Sequence, residues 1–307
     1  MLSRRSVRIK IMQLLYAMDR DEALTQKDLE KKYKESIDES FQLLLFVTFL
    51  ITLITEKAIQ DHTKRGTKHL PSDFDKAFSA KLHNNAIIKS LTENKELQAR
   101  IKKSGFQKLD LSDFAEKMYK GFSKTKPYEE YILAAETDER DLEILLELFR
   151  YLRSNEYFNE ICDDHFLHWF DEKSLIVGTL KKILKAQPAQ GDFIMEYYPD
   201  DDTIKVYGQK LLTSVIENDS SLAEEIIPLL KNWDSERLAV IDMILLKMAQ
   251  TEHKEFESIP NNVTINEYVE VAKSYSTDKS KEFVNGVLDT LFKQGEKTAG
   301  TEDAKDA

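Results

Sequence analysis

Apolar positions recur at three- and four-residue spacing along most of the chain, and alternating polar–apolar runs are almost absent. A helix brings a face back every 3.6 residues and a strand every second one, so the pattern predicts an all-α protein with little or no sheet. The first helix follows a Ser3 cap, with Val7, Ile11, Leu14, Leu15 and Met18 as its buried stripe. Helices are then predicted near 27–62, 72–89, 94–103, 111–122, 128–135, 138–152, 155–170 and 173–185. Gly66, Gly105, Lys126-Pro127, Gln187-Pro188 and Gly191 punctuate the joins. After a turn at Pro199-Asp200-Asp201-Asp202, a helix begins with Tyr207, Leu211, Leu212, Val215 and Ile216. Two more follow at 221–232 and 235–251, the second with Leu238, Ile241, Leu245 and Met248 inward and Ile244 beside them.

The end of the chain is the most strongly patterned. Thr264 followed by Glu267 has the spacing of a capping box, which predicts a helix start there. Ile265, Tyr268, Val269, Ala272 and Tyr275 would form its buried face. A break over 276–281 precedes a second helix carrying Phe283, Val284, Val287, Leu288 and Leu291. Its Gly286, which costs about 1 kcal/mol against Ala in a helix interior, suggests a close approach by another element. Residues 293–307 are polar and acidic, and are expected to be a disordered tail.

The most membrane-like stretch, 40–55, carries no charge but has only 16 residues between Glu39 and Glu56. A span needs about 20, so residues 41–54 are predicted to lie in a helix buried between other helices, with no membrane contact. Composition adds a compartment. The single cysteine, Cys162, excludes an internal disulfide, and 1–20 lacks the apolar core of a signal peptide, which makes the cytoplasm the expected location.

The net charge of −11 argues against indiscriminate nucleic-acid binding but leaves room for a local basic patch. Arg4, Arg5, Arg8 and Lys10 crowd the first two turns of the opening helix. Cations there oppose the helix dipole by a few tenths of a kcal/mol each, so an anionic partner explains them better than helix stability does. The bland alternative is a solvated helix end. A second basic region runs from Lys64 through Arg65, Lys68, His69, Lys89, Lys95, Arg100, Lys102 and Lys103 to Lys108, ahead of a strongly acidic stretch at 129–160.

Candidate chemistry is sparse. In Cys162-Asp163-Asp164-His165-Phe166-Leu167-His168, Cys162 and His165 share a helix face but His168 lies well away from Cys162, pairing instead with Asp164 four residues earlier, and no second paired motif completes four zinc ligands. The glycines form no phosphate loop or dinucleotide fingerprint. The reading is therefore a protein without catalytic residues, metal or cofactor.

The residues Ile265-Asn266-Glu267, Val269-Glu270, Ala272-Lys273 and the unbroken run at 283–289 resemble the C-terminal helices of the NusB family of transcription antitermination factors. Arg4-Arg5, Arg8, Gln13 and Leu15-Tyr16 look like that family's opening helix. The resemblance implies a NusB-like helical bundle made of 1–20 and 203–292, interrupted by a large helical insertion at 21–202 whose first helix could belong to the bundle. It also implies a cytoplasmic RNA-binding factor that recognises a boxA-type single-stranded element of nascent ribosomal RNA. The implied partners are a small-subunit ribosomal protein, NusE, and the RNA polymerase elongation complex. On that likeness Arg4, Arg5, Arg8, Lys10, Tyr16, Asp278, Lys279 and Phe283 are the expected RNA contacts, and Asp242 faces the protein partner. Lys279 stands where the family usually has an acid. A different class of function, a helical protein-binding scaffold without RNA, is suggested by the long unmatched segment.

Overall fold

The computed structural model describes residues 2–232 and 239–302, and every regular element among them is helical. The helices in chain order are α1 (Arg4–Arg20), α2 (Gln26–Gly66), α3 (Asp73–Ala77), α4 (Lys81–Asn84), α5 (Ala86–Glu93), α6 (Lys95–Lys103), α7 (Ser112–Phe122), α8 (Lys126–Leu133), α9 (Asp138–Arg153), α10 (Glu156–His165) and α11 (Trp169–Lys185). A π-type segment, Asp202–Gln209, leads into α12 (Lys210–Glu217), followed by α13 (Asp219–Ile226), α14 (Val240–Glu255), α15 (Asn261–Tyr275) and α16 (Ser280–Glu302). The start expected for α14 near Ser235 lies outside the described residues. Contacts divide the chain into two units, residues 38–198 and residues 2–37 together with the chain from Pro199 onward.

In the first of these units α2 runs through the core. Phe41, Leu44, Phe46, Val47, Leu50, Ile51 and Ile54 are all buried, with α5 to α11 supplying most of the remaining apolar side chains and Phe78, Leu82, Phe193 and Ile194 among the rest. By length and composition α2 could cross a membrane, but 67% of its apolar window is buried inside the protein, as befits a core helix. Two predicted helices come apart. The stretch 72–89 is three short helices, because Ser72 forms a capping box with Asp75 and Asn85 accepts from the amides of Ile87 and Ile88, starting α3 and α5 separately. The stretch 155–170 breaks at Phe166, whose extended backbone ends α10 and lets the fully buried Trp169 of α11 meet Phe158 edge-on at 5.9 Å.

In the other unit α1 packs against α14 and the π-type segment, and α14, α15 and α16 pack on one another. The expected boundary at Asp21 moves into α2, since Leu29, Tyr33 and Ile37 are buried and the Tyr33 hydroxyl donates to the Ile204 carbonyl at 3.1 Å. On α1 Val7, Ile11 and Leu15 are buried as the stripe predicts, but so are Arg8, Lys10 and Met12. Two neighbouring elements widen the covered face. The capping box at Thr264 does not form: α15 begins a turn earlier, at Asn261 after Pro260, and Thr264 lies buried inside it. Its covered face consequently centres on Thr264, Tyr268, Val271 and Ala272, with Ile265, Val269 and Tyr275 half-buried.

On α16 Phe283, Val284, Val287, Leu288 and Leu291 are all buried. A Cβ at Gly286 would meet nothing within 4 Å, so the close approach expected there is absent. It occurs instead at Gly208, where a Cβ would fall on the Tyr33 hydroxyl and lie 2.7 Å from Val7 Cγ1. The helix runs to Glu302, so the part of the expected tail that is described is helical, and 303–307 lie outside the described residues.

Truncating Phe283 to Ala should lower stability by about 3–5 kcal/mol, read as a reduced denaturant midpoint for unfolding. Gly208→Ala should also destabilise, because Tyr33 and Val7 must both shift, whereas Gly286→Ala should be neutral or mildly stabilising. Equal effects of the two glycine substitutions would count against this packing.

Candidate nucleic-acid interface

Arg8, expected at the surface, is the centre of the bundle's polar interior. Only 2% of it is exposed. Its Nε and Nη2 each donate to Glu252 at 2.8 Å, and Nη1 reaches Glu267 at 3.3 Å. Glu252, fully buried, also accepts from the hydroxyls of Tyr207 at 2.5 Å, Thr264 at 2.8 Å and Tyr268 at 3.2 Å. A carboxylate has about four lone-pair directions, and these five donors fill them. Burial works against the Arg8 charge, yet the Glu252 hydrogen bonds hold its proton more tightly than usual. Burial, reinforced by the Glu252 charge, pushes both tyrosines well above their ordinary range, so they remain donors.

The expected RNA contacts therefore separate into two groups. Arg8, Lys10 and Phe283 are buried, and the Arg8 charge is already matched internally, so none of them presents a surface to a phosphate or base. Arg4, Arg5, Tyr16, Asp278 and Lys279 are exposed. The Arg4 guanidinium lies 5.2 Å over the Tyr207 ring. Arg5 grips Glu267 through two hydrogen bonds of 2.8 and 2.7 Å and still leaves 51% of its side chain exposed. Tyr16 is 37% exposed, with the Arg20 guanidinium 5.2 Å above its ring.

Asp242 is also buried. Its Oδ2 accepts from the Ser280 hydroxyl at 2.7 Å, and Ser280 Oγ lies 2.9 Å from Ser276 Oγ and 2.7 Å from Thr277 Oγ1. The residue expected to face a partner thus pins the turn between α15 and α16. On α14, Asp242 and Glu252 are ten residues apart, about 15 Å of helix. Arg5 binds Glu267 and Arg4 covers Tyr207, which donates to Glu252, while Asp278 and Lys279 sit at the Asp242 end, so the exposed candidates span the bundle rather than converge on one point.

The sequence signal missed was Glu252 itself. It continues the buried α14 series of Leu245, Met248 and Ala249 at helical spacing, and an acid on such a stripe demands a buried donor. In the other unit, burial raises the Cys162 thiol well above its usual range, His165 Nδ1 lies 3.0 Å from the Ile161 carbonyl, to which it can only donate, and its ring stacks on Phe46, and His168 points toward Asp171 at 3.9 Å. Among the described residues no three His, Cys, Asp or Glu side chains are grouped to hold a metal.

The fold and these residues define an all-helical bundle with an exposed arginine pair at its first helix and a second helical unit carried on the same chain. The NusB family model matches residues 171–293. The chain is 34% identical over 121 residues to the transcription antitermination protein NusB of Clostridium botulinum (strain Alaska E43 / Type E3), covering 39% of this chain and 91% of that protein. Over 83 residues it is 40% identical to that of Bacillus cereus (strain B4264), covering 27% and 64%, and over 85 residues 41% identical to that of Chloroherpeton thalassium (strain ATCC 35110 / GB-78), covering 28% and 40%. It thus spans less than two thirds of the length of the last two. No solved structure matches the chain. The protein belongs to the NusB family. The matched span starts in α11 and omits α1, whose place in the bundle is fixed by the Arg8–Glu252 pair.

Glu252→Gln removes the charge that compensates Arg8 and should cost about 3–5 kcal/mol, measured by chemical unfolding. A loss below about 1 kcal/mol would mean that the pair is not desolvated. Hydrogen bonding from Arg5 lowers the Glu267 carboxyl below its ordinary 4.5. Its contribution is therefore present above 4.5 and should be lost as pH falls below that value, and Glu267→Gln should flatten the acid limb of a stability–pH curve.

Proposed function

We propose that this protein is a transcription antitermination factor that binds a boxA-type single-stranded element of nascent ribosomal RNA together with the ribosomal protein NusE, within the elongation complex. The carrying observation is the exposed Arg4–Arg5 pair, held at the start of α1 in a NusB-family bundle although the chain as a whole is at −11. Phosphates would meet Arg4 and Arg5, Tyr16 offers a partly exposed ring for stacking, and the turn bearing Asp278 and Lys279 completes the track. Arg8 and Asp242 serve it indirectly, the first by fixing α1 and the second by fixing the turn. The reading places the protein in the cytoplasm and assigns it no catalysed reaction.

A second reading, a helical scaffold that binds protein and no RNA, is favoured by one observation. Most of the 38–198 unit lies outside the family match. Binding of labelled boxA-like RNA and a scrambled control over a salt series, with and without NusE, separates the two readings. Sequence-selective, salt-weakened binding is expected. Arg4→Gln with Arg5→Gln should reduce the salt slope by about 0.7 for each single-strand phosphate no longer neutralised, at a stability cost of no more than about 1 kcal/mol from the half-exposed Arg5–Glu267 pair. Absence of selective binding even with NusE present defeats the first reading in favour of the scaffold.

A further inference from the structure

We propose that the cleft between α2 and α7, within residues 38–198, is a second anion site that holds the phosphodiester backbone of RNA without reading its bases. The identity of the ligand rests on the RNA-binding reading above; the site itself rests on charge and geometry. The cleft has a volume of about 320 Å³, and its walls carry five cationic side chains against two carboxylates. In a chain of net charge −11 that is a strong local inversion.

The inversion survives a check of which cations are already committed. Arg65 is committed, with Nε 3.0 Å from Asp61 and Nη1 2.7 Å from Asp75. The other oxygen of Asp61 accepts from the Tyr119 hydroxyl at 3.0 Å. Glu116 has to serve several ammonium groups at once: Lys120 at 2.7 Å, Lys64 at 3.8 Å, and Lys57 through its field. Its carboxyl is lowered, first by the Lys120 hydrogen bond and then by those charges. Lys57 Nζ donates only to the Ser112 hydroxyl, at 3.2 Å, and the exposed Lys124 ammonium makes no hydrogen bond or ion pair among the described residues. By contrast, Lys68 and Arg100, from the same basic stretch of sequence, are held by Asp75 and Asp192.

The arrangement favours a polyphosphate chain over an acidic peptide. Lys57 and Lys64 stand two turns apart on α2, about 10 Å, and Lys120 and Lys124 four residues apart on the facing wall, so charge is presented along a length and from both sides. The planar fork of arginine grips carboxylate and phosphate alike, and the one arginine in the cleft already holds two carboxylates. The remaining groups are lysine point charges, which suit phosphate and impose no sequence. Tyr119, the one aromatic residue of the lining, is buried with its hydroxyl between Asp61 and Tyr128, so no ring is offered to a base.

The test uses the full chain and a fluorescent 12-nucleotide oligouridylate, titrated between 50 and 200 mM salt, with Lys57→Gln plus Lys124→Gln as the variant. Leaving two phosphates of a single strand without their cations should make the salt slope shallower by about 1.4, so that the variant loses about sevenfold less affinity than wild type over that range. An unchanged thermal midpoint in circular dichroism shows that the variant is folded, and Lys57→Arg plus Lys124→Arg should restore the slope. An unchanged slope in the folded double variant overturns the proposal, as does undetectable oligouridylate binding by the wild type. If polyglutamate of equal charge binds with the same change of slope, the partner is an acidic protein and the proposal is likewise overturned. Discrimination of the boxA-like element from its scrambled control, read on the same samples, tests the proposed function separately, because the variant leaves Arg4 and Arg5 untouched.

Discussion

The bundle depends on one buried pair. Arg8 and Glu252 are 244 residues apart in sequence and meet with almost no solvent on either side chain. Such a pair contributes little net stability, because desolvating both charges offsets most of their attraction. Its effect is on selection. Any packing of α1 that misplaced Arg8 would bury a guanidinium without its carboxylate, at a cost of several kcal/mol, and would also leave Tyr207, Thr264 and Tyr268 donating to an acid that had lost its cation. The pair therefore fixes where the first twenty residues dock, after the chain has made the entire 38–198 unit. By seating α1 it also decides where Arg4 and Arg5 emerge.

That constraint explains what could be read in advance and what could not. The apolar periodicity located α1, α2, α7 and α9 closely and α16 at its start but not its end, and Phe283, Val287 and Leu291 proved to be core because a 3.6-residue repeat of large apolar groups has few other uses. Polar residues misled wherever their partner was remote. Thr264 and Glu267 have the spacing of a capping box, a local reading, but both are claimed by residues of other helices, Thr264 by Glu252 and Glu267 by Arg5 and Arg8. Spacing encodes neighbours three and four residues away; it holds no information about a donor 259 residues off. Gly286 and Gly208 make the same point, since only the three-dimensional neighbour distinguishes an idle glycine from an obligatory one.

Charge counting failed for a related reason. A run of cations predicts a basic surface only if those cations have no acids waiting elsewhere in the fold. Arg65, Lys68 and Arg100 all do, in Asp61, Asp75 and Asp192, so the sequence stretch that looked most basic is neutralised in part. The cleft's uncompensated charge comes from Lys57 on α2 and Lys124 in the turn after α7, which no linear window would group. The same accounting at the N-terminus removes Arg8 from the candidate surface and sets the half-exposed Arg5 against Glu267, leaving Arg4, over the Tyr207 ring, as the exposed cation there without a carboxylate among the described residues.

The turn between α15 and α16 carries the argument one step further. Ser280 starts α16, and its hydroxyl is held by Asp242 from α14, while Ser276 and Thr277 close on the same oxygen. The backbone of the turn is thus determined from beneath, by a buried acid and three hydroxyls, independently of what its exposed positions carry. Asp278 and Lys279 take no part in that scaffold and face solvent. The lysine at 279 therefore sets the charge presented by a turn of fixed shape without redirecting the chain. Replacing Asp242 would do the reverse, leaving the charges in place while releasing the frame that aims them.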